Sequence, residues 1–131
     1  MSDRGVPDPG PQPIRFEEGD RWAERGNAAQ VQPVVRFSEG PSSTSVTWVS
    51  IDGRHQRLRS RRSARCYYML SGMLTFEIGS APPVCVGAGD AIVVPHGCVY
   101  GFSGTATYLV INTPAFEPGD DEYADPACSH G

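Results

Sequence analysis

The 131-residue chain reads as an all-β protein, a barrel or sandwich of short strands. Three observations carry that expectation. The runs PVVRF, TSVTWVSI, CYYML, MLTFEI, PVCV, AIVV and TATYLVIN are rich in β-branched and aromatic residues, which suit a pleated, half-buried surface. Turn signals (SEGPSS, DG, SG, GSAPP, GAGD, PHG, SGT) separate them at intervals of about 7 to 13 residues, the spacing of sandwiches and barrels. Gly (15) and Pro (12) are abundant enough to punctuate so many short elements.

The elements follow in order. Residues 1–13, with prolines at 7, 9, 11 and 13, read as a disordered leader. Phe16 to Gly26 carries one short helical turn anchored by Trp22, and the run from Ile14 to Phe37 is the segment available for exchange with a second copy. The barrel domain occupies residues 14–116. Residues 117–131, EPGDDEYADPACSHG, form an acidic tail that is either solvated or packed across the barrel or a partner subunit.

Composition narrows the function classes. A chain of this length buries enough surface for one core without staples. Net charge is −4, which argues against a nucleic-acid partner. No apolar segment reaches the ~20 residues of a membrane span, and no apolar run opens the chain as a signal peptide would. The cysteines Cys66, Cys85, Cys98 and Cys128 form no CxxC pair, so reduced thiols and a cytoplasmic location are expected. All 11 basic residues are Arg, and six of them fall between Arg54 and Arg65, while Cys66 to Ala115 has none.

Two stretches carry a family signature. Gly53, Arg59, Arg61, Arg65 and Gly72 reproduce the spacing of one motif, and Gly89, Pro95, Gly97, Tyr100 and Gly104 that of a second, with sixteen residues between Gly72 and Gly89. This pattern resembles the two motifs of the cupin superfamily, in a small single-domain form. The resemblance implies a cupin-type jelly-roll β-barrel with a short N-terminal helical or strand extension. Its glycines and proline are scaffold positions: Gly72 suits a tight turn and Pro95 ends a strand.

The same resemblance puts Arg59, Arg61, Arg65 and Tyr100 where metal-binding cupins hold their three histidines and glutamate. Guanidinium offers only donors and keeps its charge, so it cannot ligate a cation. The expectation is therefore no metal and no cofactor; His55, Cys66, His96 and Cys98 are the donors considered for a relocated ion.

Arg59 and Arg61 share one strand face, as do Arg65, Tyr67 and Met69 on the next, and the resemblance makes that face interior. Buried arginines need anionic partners, either Glu77 and Asp52 or a ligand's carboxylate, phosphate or enolate. The alternative is an outer-surface network of ion pairs. Arg61, Arg65 and Tyr100 are the candidate catalytic residues, with the Tyr100 phenol lowered by guanidinium charge so that it moves a proton. Arg59, Arg57, Trp48, Tyr67, Met69 and Phe102 are the candidate substrate-binding residues. Two readings follow. One is a metal-independent isomerase, cyclase or lyase on a small anionic carbonyl-containing metabolite, of the natural-product or sugar-tailoring type. The other is a non-catalytic cupin that binds or senses a small anionic ligand. The family implies a homodimer.

Overall fold

The computed structural model describes residues 20–24, 27–36 and 43–123. The expected leader, Cys128 and most of the Phe16–Gly26 and acidic-tail segments lie outside these residues. Eight strands are present among the described residues: β1 (Trp22–Ala23), β2 (Ala29–Arg36), β3 (Ser45–Ser60), β4 (Ala64–Ile78), β5 (Val84–Gly87), β6 (Ala91–Val94), β7 (Tyr100–Thr113) and β8 (Asp121–Tyr123). All pair antiparallel in the order β1-β2-β3-β7-β4-β5, with β6 added beside β4 and β8 beside β3. Trp22 thus belongs to a strand, so the extension is a strand there and not the expected helical turn. No helix among the described residues is long and apolar enough to cross a membrane.

The long strands β3, β7 and β4 make the barrel by folding back on themselves. Along β7, Val110 pairs with Tyr67 and Tyr100 pairs with Ile78, ten residues away. A straight strand would separate those rows by about 33 Å. Yet the Tyr67 and Tyr100 hydroxyls lie 2.5 Å apart, so the sheet closes and its two halves face each other.

Glycines mark the corner. Gly53 and Gly104 are register partners with φ of 141° and 144°, and Gly72 beside them has φ of 80°. A Cβ on Gly104 would sit 2.3 Å from the Met73 carbonyl oxygen, and one on Gly72 2.2 Å from that of Thr105. Only glycine permits both the backbone angle and the close approach.

Between the halves lies an aromatic core. Phe76 and Phe102 stack at 4.8 Å, while Tyr67 meets Phe102 edge-on at 5.3 Å and Tyr108 at 5.5 Å. Met69, Leu74 and Phe76 are fully buried around them. Each such side chain contributes about 1.5–3 kcal/mol on burial.

Candidate functional site

The core does not fill the barrel. A cavity of about 260 Å³ opens between the two halves, lined by Thr47, Val49 and His55 of β3, Arg65 and Tyr67 of β4, and Phe102, Tyr108, Val110 and Asn112 of β7. Trp22, Glu24, Val31, Pro33, Phe116 and Asp121 complete the wall.

Alternation places each of these side chains. On β4, Arg65, Tyr67 and Met69 all point inward, as the sequence pattern implies. Met69 packs in the core without reaching the cavity, whereas Tyr67 and Phe102 line it. Thr47 and Val49 also face inward, so Trp48 between them faces outward and lies 4.2 Å beneath the Arg21 guanidinium. Trp48 is therefore not a cavity wall.

Arg59 and Arg61 also lie outside, for a definable reason. The β3–β7 register shifts between His55 and Leu58, where residues 56 and 57 together face Gly101. Such a bulge inverts the alternation beyond it. Before it Val49, Ile51 and His55 are buried; after it Leu58 and Ser60 are. Arg59 and Arg61 turn to the surface and share Glu122 of β8, at 2.6 and 3.6 Å. Arg57, in the bulge, lies over Gly101 rather than in the cavity.

Five of the six arginines in the run, all but Arg57, are matched by acids. Arg62 makes a two-pronged bond to Asp120, 2.9 Å on each side, and donates to the Ala115 carbonyl at 2.8 Å. Arg54 pairs with Glu77, and Asp52 accepts from the Thr105 hydroxyl, so neither acid serves a buried arginine as expected. Of the acidic segment, residues 117–123 are described, and Asp121–Tyr123 pair with β3 as β8.

Arg65 is the one arginine of the cluster in the wall, and it is 5% exposed. Its Nη2 donates to Asp121 and its Nη1 to the Tyr100 hydroxyl at 3.3 Å. Burial alone would lower its pKa; Tyr100, Tyr67 and Asp121 more than offset that, and the pKa is raised. Arg65 therefore carries a permanent charge in the barrel.

That charge orients a relay. A guanidinium only donates, so the Tyr100 oxygen accepts from it. The Tyr100 and Tyr67 hydroxyls lie 2.5 Å apart, where either can be the donor; with Tyr100 donating, the Tyr67 hydrogen is left for the cavity. Burial pushes the phenols of Tyr67, Tyr108 and Tyr100 up despite Arg65. The expected lowering of Tyr100 is thus reversed. It stays a protonated phenol, and it stands one step behind Tyr67, which is the group at the cavity.

The wall also holds His55, whose ring stacks with Phe102 at 4.7 Å and with Tyr123 at 6.4 Å. Its Nδ1 faces the Gln56 carbonyl at 2.9 Å, and a carbonyl can only accept, so Nδ1 carries the hydrogen. Nε2 faces Glu24 at 3.4 Å and is the basic nitrogen. His55, Glu24 and Asp121 were not singled out as cavity residues in the sequence. His55 shares parity with Val49 and Ile51, a signal that was available.

The donor set does not fit the metal centre that cupins commonly carry. The cavity offers His55, Glu24 and Asp121, but Asp121 is taken by Arg65 and the guanidinium lies in the same wall. Among the described residues no cluster of three His, Cys, Asp or Glu side chains is placed for a cation, including around Cys66, His96 and Cys98.

Fold and cavity together define a cupin-type jelly-roll barrel. The structure is similar to Pac13, a nucleoside dehydratase from Streptomyces, with a TM-score of 0.73 and 24% identity over 87% of this chain and 91% of that one. A tyrosine-to-phenylalanine variant of Pac13 with uridine gives 0.74 and 25% identity over 87% and 90%. KdgF from Halomonas gives 0.68 and 18% identity over 80% and 96%, and oxalate decarboxylase from Bacillus subtilis 0.70 and 15% over 88% and 32%. The sequence itself matches no family profile and no curated protein.

Proposed function

We propose that this chain is a metal-independent cupin lyase of the dehydratase kind, acting on a small hydroxylated, carbonyl-bearing metabolite of sugar or nucleoside type. The observation that carries the reading is one cavity whose wall holds both a histidine, its Nε2 beside Glu24, and a tyrosine pair hydrogen-bonded to a buried guanidinium. The similar barrels with uridine support it, since those proteins carry single substitutions of a histidine or a tyrosine.

The chemistry closes within the chain. His55 Nε2 takes the proton from the carbon next to the substrate carbonyl, and the C–H electron pair moves to the carbonyl oxygen as an enolate. The Tyr67 hydroxyl donates to that oxygen, with Tyr100 and Arg65 behind it, which is electrostatic stabilisation by a group already oriented. The enolate then collapses, the β-carbon–oxygen bond breaks, and the leaving hydroxyl takes the proton held on His55. The products are the unsaturated carbonyl compound and water.

The ligand expected from the sequence was anionic. The cavity supports a neutral one better: its single arginine is already paired with Asp121, and Glu24 is a second acid in the wall. The test is to incubate the protein with hydroxylated aldehydes and ketones of the nucleoside and sugar classes and follow loss of one water by mass spectrometry. Proton exchange or water loss that vanishes in His55→Gln supports the lyase. Saturable binding with no exchange and no water loss would leave the non-catalytic binding reading instead.

A further inference from the structure

One end of the cavity is closed by a row that runs across the sheet: Ser45, Asn112 and Arg65 are successive register partners on β3, β7 and β4. Asn112 is 4% exposed and Arg65 5%, and both line the cavity. Two buried atoms in this row have no hydrogen-bond partner among the described residues, Asn112 Oδ1 and Arg65 Nε. Arg65 shows why. Its two terminal nitrogens are spent on Tyr100 and Asp121, which anchor the guanidinium and leave Nε over. An acceptor and a donor on neighbouring strands are thus both buried and both unmatched, an arrangement that native interiors rarely keep without a use.

The surroundings restrict what could match them. The Arg65 charge is already met by Asp121, so a second anion would gain little here. Val110, Val31 and Pro33 supply apolar walls, and the Phe116 ring lies 6.0 Å from the Arg65 guanidinium carbon. That combination suits a flat, uncharged ring with a polar edge.

We infer that Asn112 and Arg65 form a subsite for the edge of a neutral planar ring carrying an N–H beside a C=O, of the pyrimidine-dione kind. The ring N–H donates to Asn112 Oδ1, the adjacent carbonyl accepts from Arg65 Nε–H, and a face of the ring packs near Phe116. This rests on the cavity being a nucleoside-type substrate site, and it assigns the part of the substrate that does not react.

The experiment is calorimetric titration of the wild-type chain and Asn112→Ala with uridine and with N3-methyluridine, whose ring lacks the N–H. A site built around a hydrogen bond rejects the analogue that cannot make it. The expected result is that wild type binds uridine about tenfold or more tightly than the methylated form, and that Asn112→Ala removes the difference by weakening uridine alone. Equal wild-type affinity for the two nucleosides, or equal weakening of both by the substitution, overturns the subsite. The wild-type comparison needs no variant, so a misfolded Asn112→Ala leaves the inference exposed to disproof. Failure here is separable from failure of the lyase reading. Water loss from a sugar carbonyl compound without any uridine preference sinks the subsite alone, whereas the preference without water loss from any substrate sinks the lyase alone.

Discussion

Asp121 on β8 closes on the buried guanidinium of Arg65 on β4, so that an edge strand of one half of the barrel is tied to a central strand of the other. Removing one member of such a pair leaves the other charge buried alone, which costs about 3–5 kcal/mol. Asp121→Asn is therefore expected to lower unfolding stability in urea by that order, and the double variant Arg65→Met, Asp121→Leu to lower it by clearly less.

His55→Gln and Tyr67→Phe are expected to keep the melting temperature close to wild type while reducing turnover by about 10²- to 10⁴-fold, the usual range for loss of a positioned acid or base. Both side chains lie at the cavity and neither anchors a strand pairing. Circular dichroism and single-turnover assays on the same preparations separate the two effects.

Alkaline pH has a defined direction. The Tyr67, Tyr100 and Tyr108 phenols are raised by burial, and that of Tyr123 is pushed up to about 12, so the native state holds these protons more tightly than the unfolded chain. The resulting stabilisation is complete below the ordinary phenol value of about 10 and is lost as pH rises beyond it. Phenolate absorbance should therefore appear for these residues together with loss of the near-ultraviolet signal, in one cooperative step above pH ~10. Their ionisation well before unfolding would contradict the packing described.

Asp120 works in the opposite sense. The Arg62 hydrogen bonds hold its carboxyl below the usual carboxylate range, so its contribution is present above pH ~4 and fades as pH falls through the folded value. Asp120→Asn is expected to destabilise the chain by about 1–3 kcal/mol at pH 7, and the gap to wild type to narrow in acid. Denaturant titrations across that pH range read both features.

Gly104→Ala is expected to abolish the folded barrel. The added methyl would meet the Met73 carbonyl oxygen at 2.3 Å, on backbone, where no rotamer change gives relief. Gly89→Ala, where a Cβ meets nothing within 4 Å, should cost only the strain of its positive φ. Soluble yield and two-dimensional amide spectra distinguish them.

The barrel was legible because its glycines carry backbone information in their identity: Gly72, Gly89 and Gly97 all hold positive φ at turns or corners. Alternation was equally legible on β4, where Arg65 and Tyr67 face inward as read. It misled on β3, because the bulge at residues 56 and 57 leaves no mark in the sequence and one extra residue sends Arg59 and Arg61 outside. The partners of Arg65 were hidden for another reason. Asp121 lies 56 residues along the chain, in a segment whose acidity suits solvent as well as it suits an arginine run. Tyr100 was misjudged through magnitude: a neighbouring guanidinium lowers a phenol, but burial raises it more.

The wall of the cavity is not built from one kind of material. Its floor, from Val49 to Phe102, belongs to strands whose course is dictated by the glycine corner, whereas Trp22 and Asp121 come from short edge strands paired with β2 and β3, and Glu24 directly follows one of them. Exchanging the two edge segments would therefore reshape one side of the cavity while leaving the glycine corner as it is, so long as an acid remains opposite Arg65.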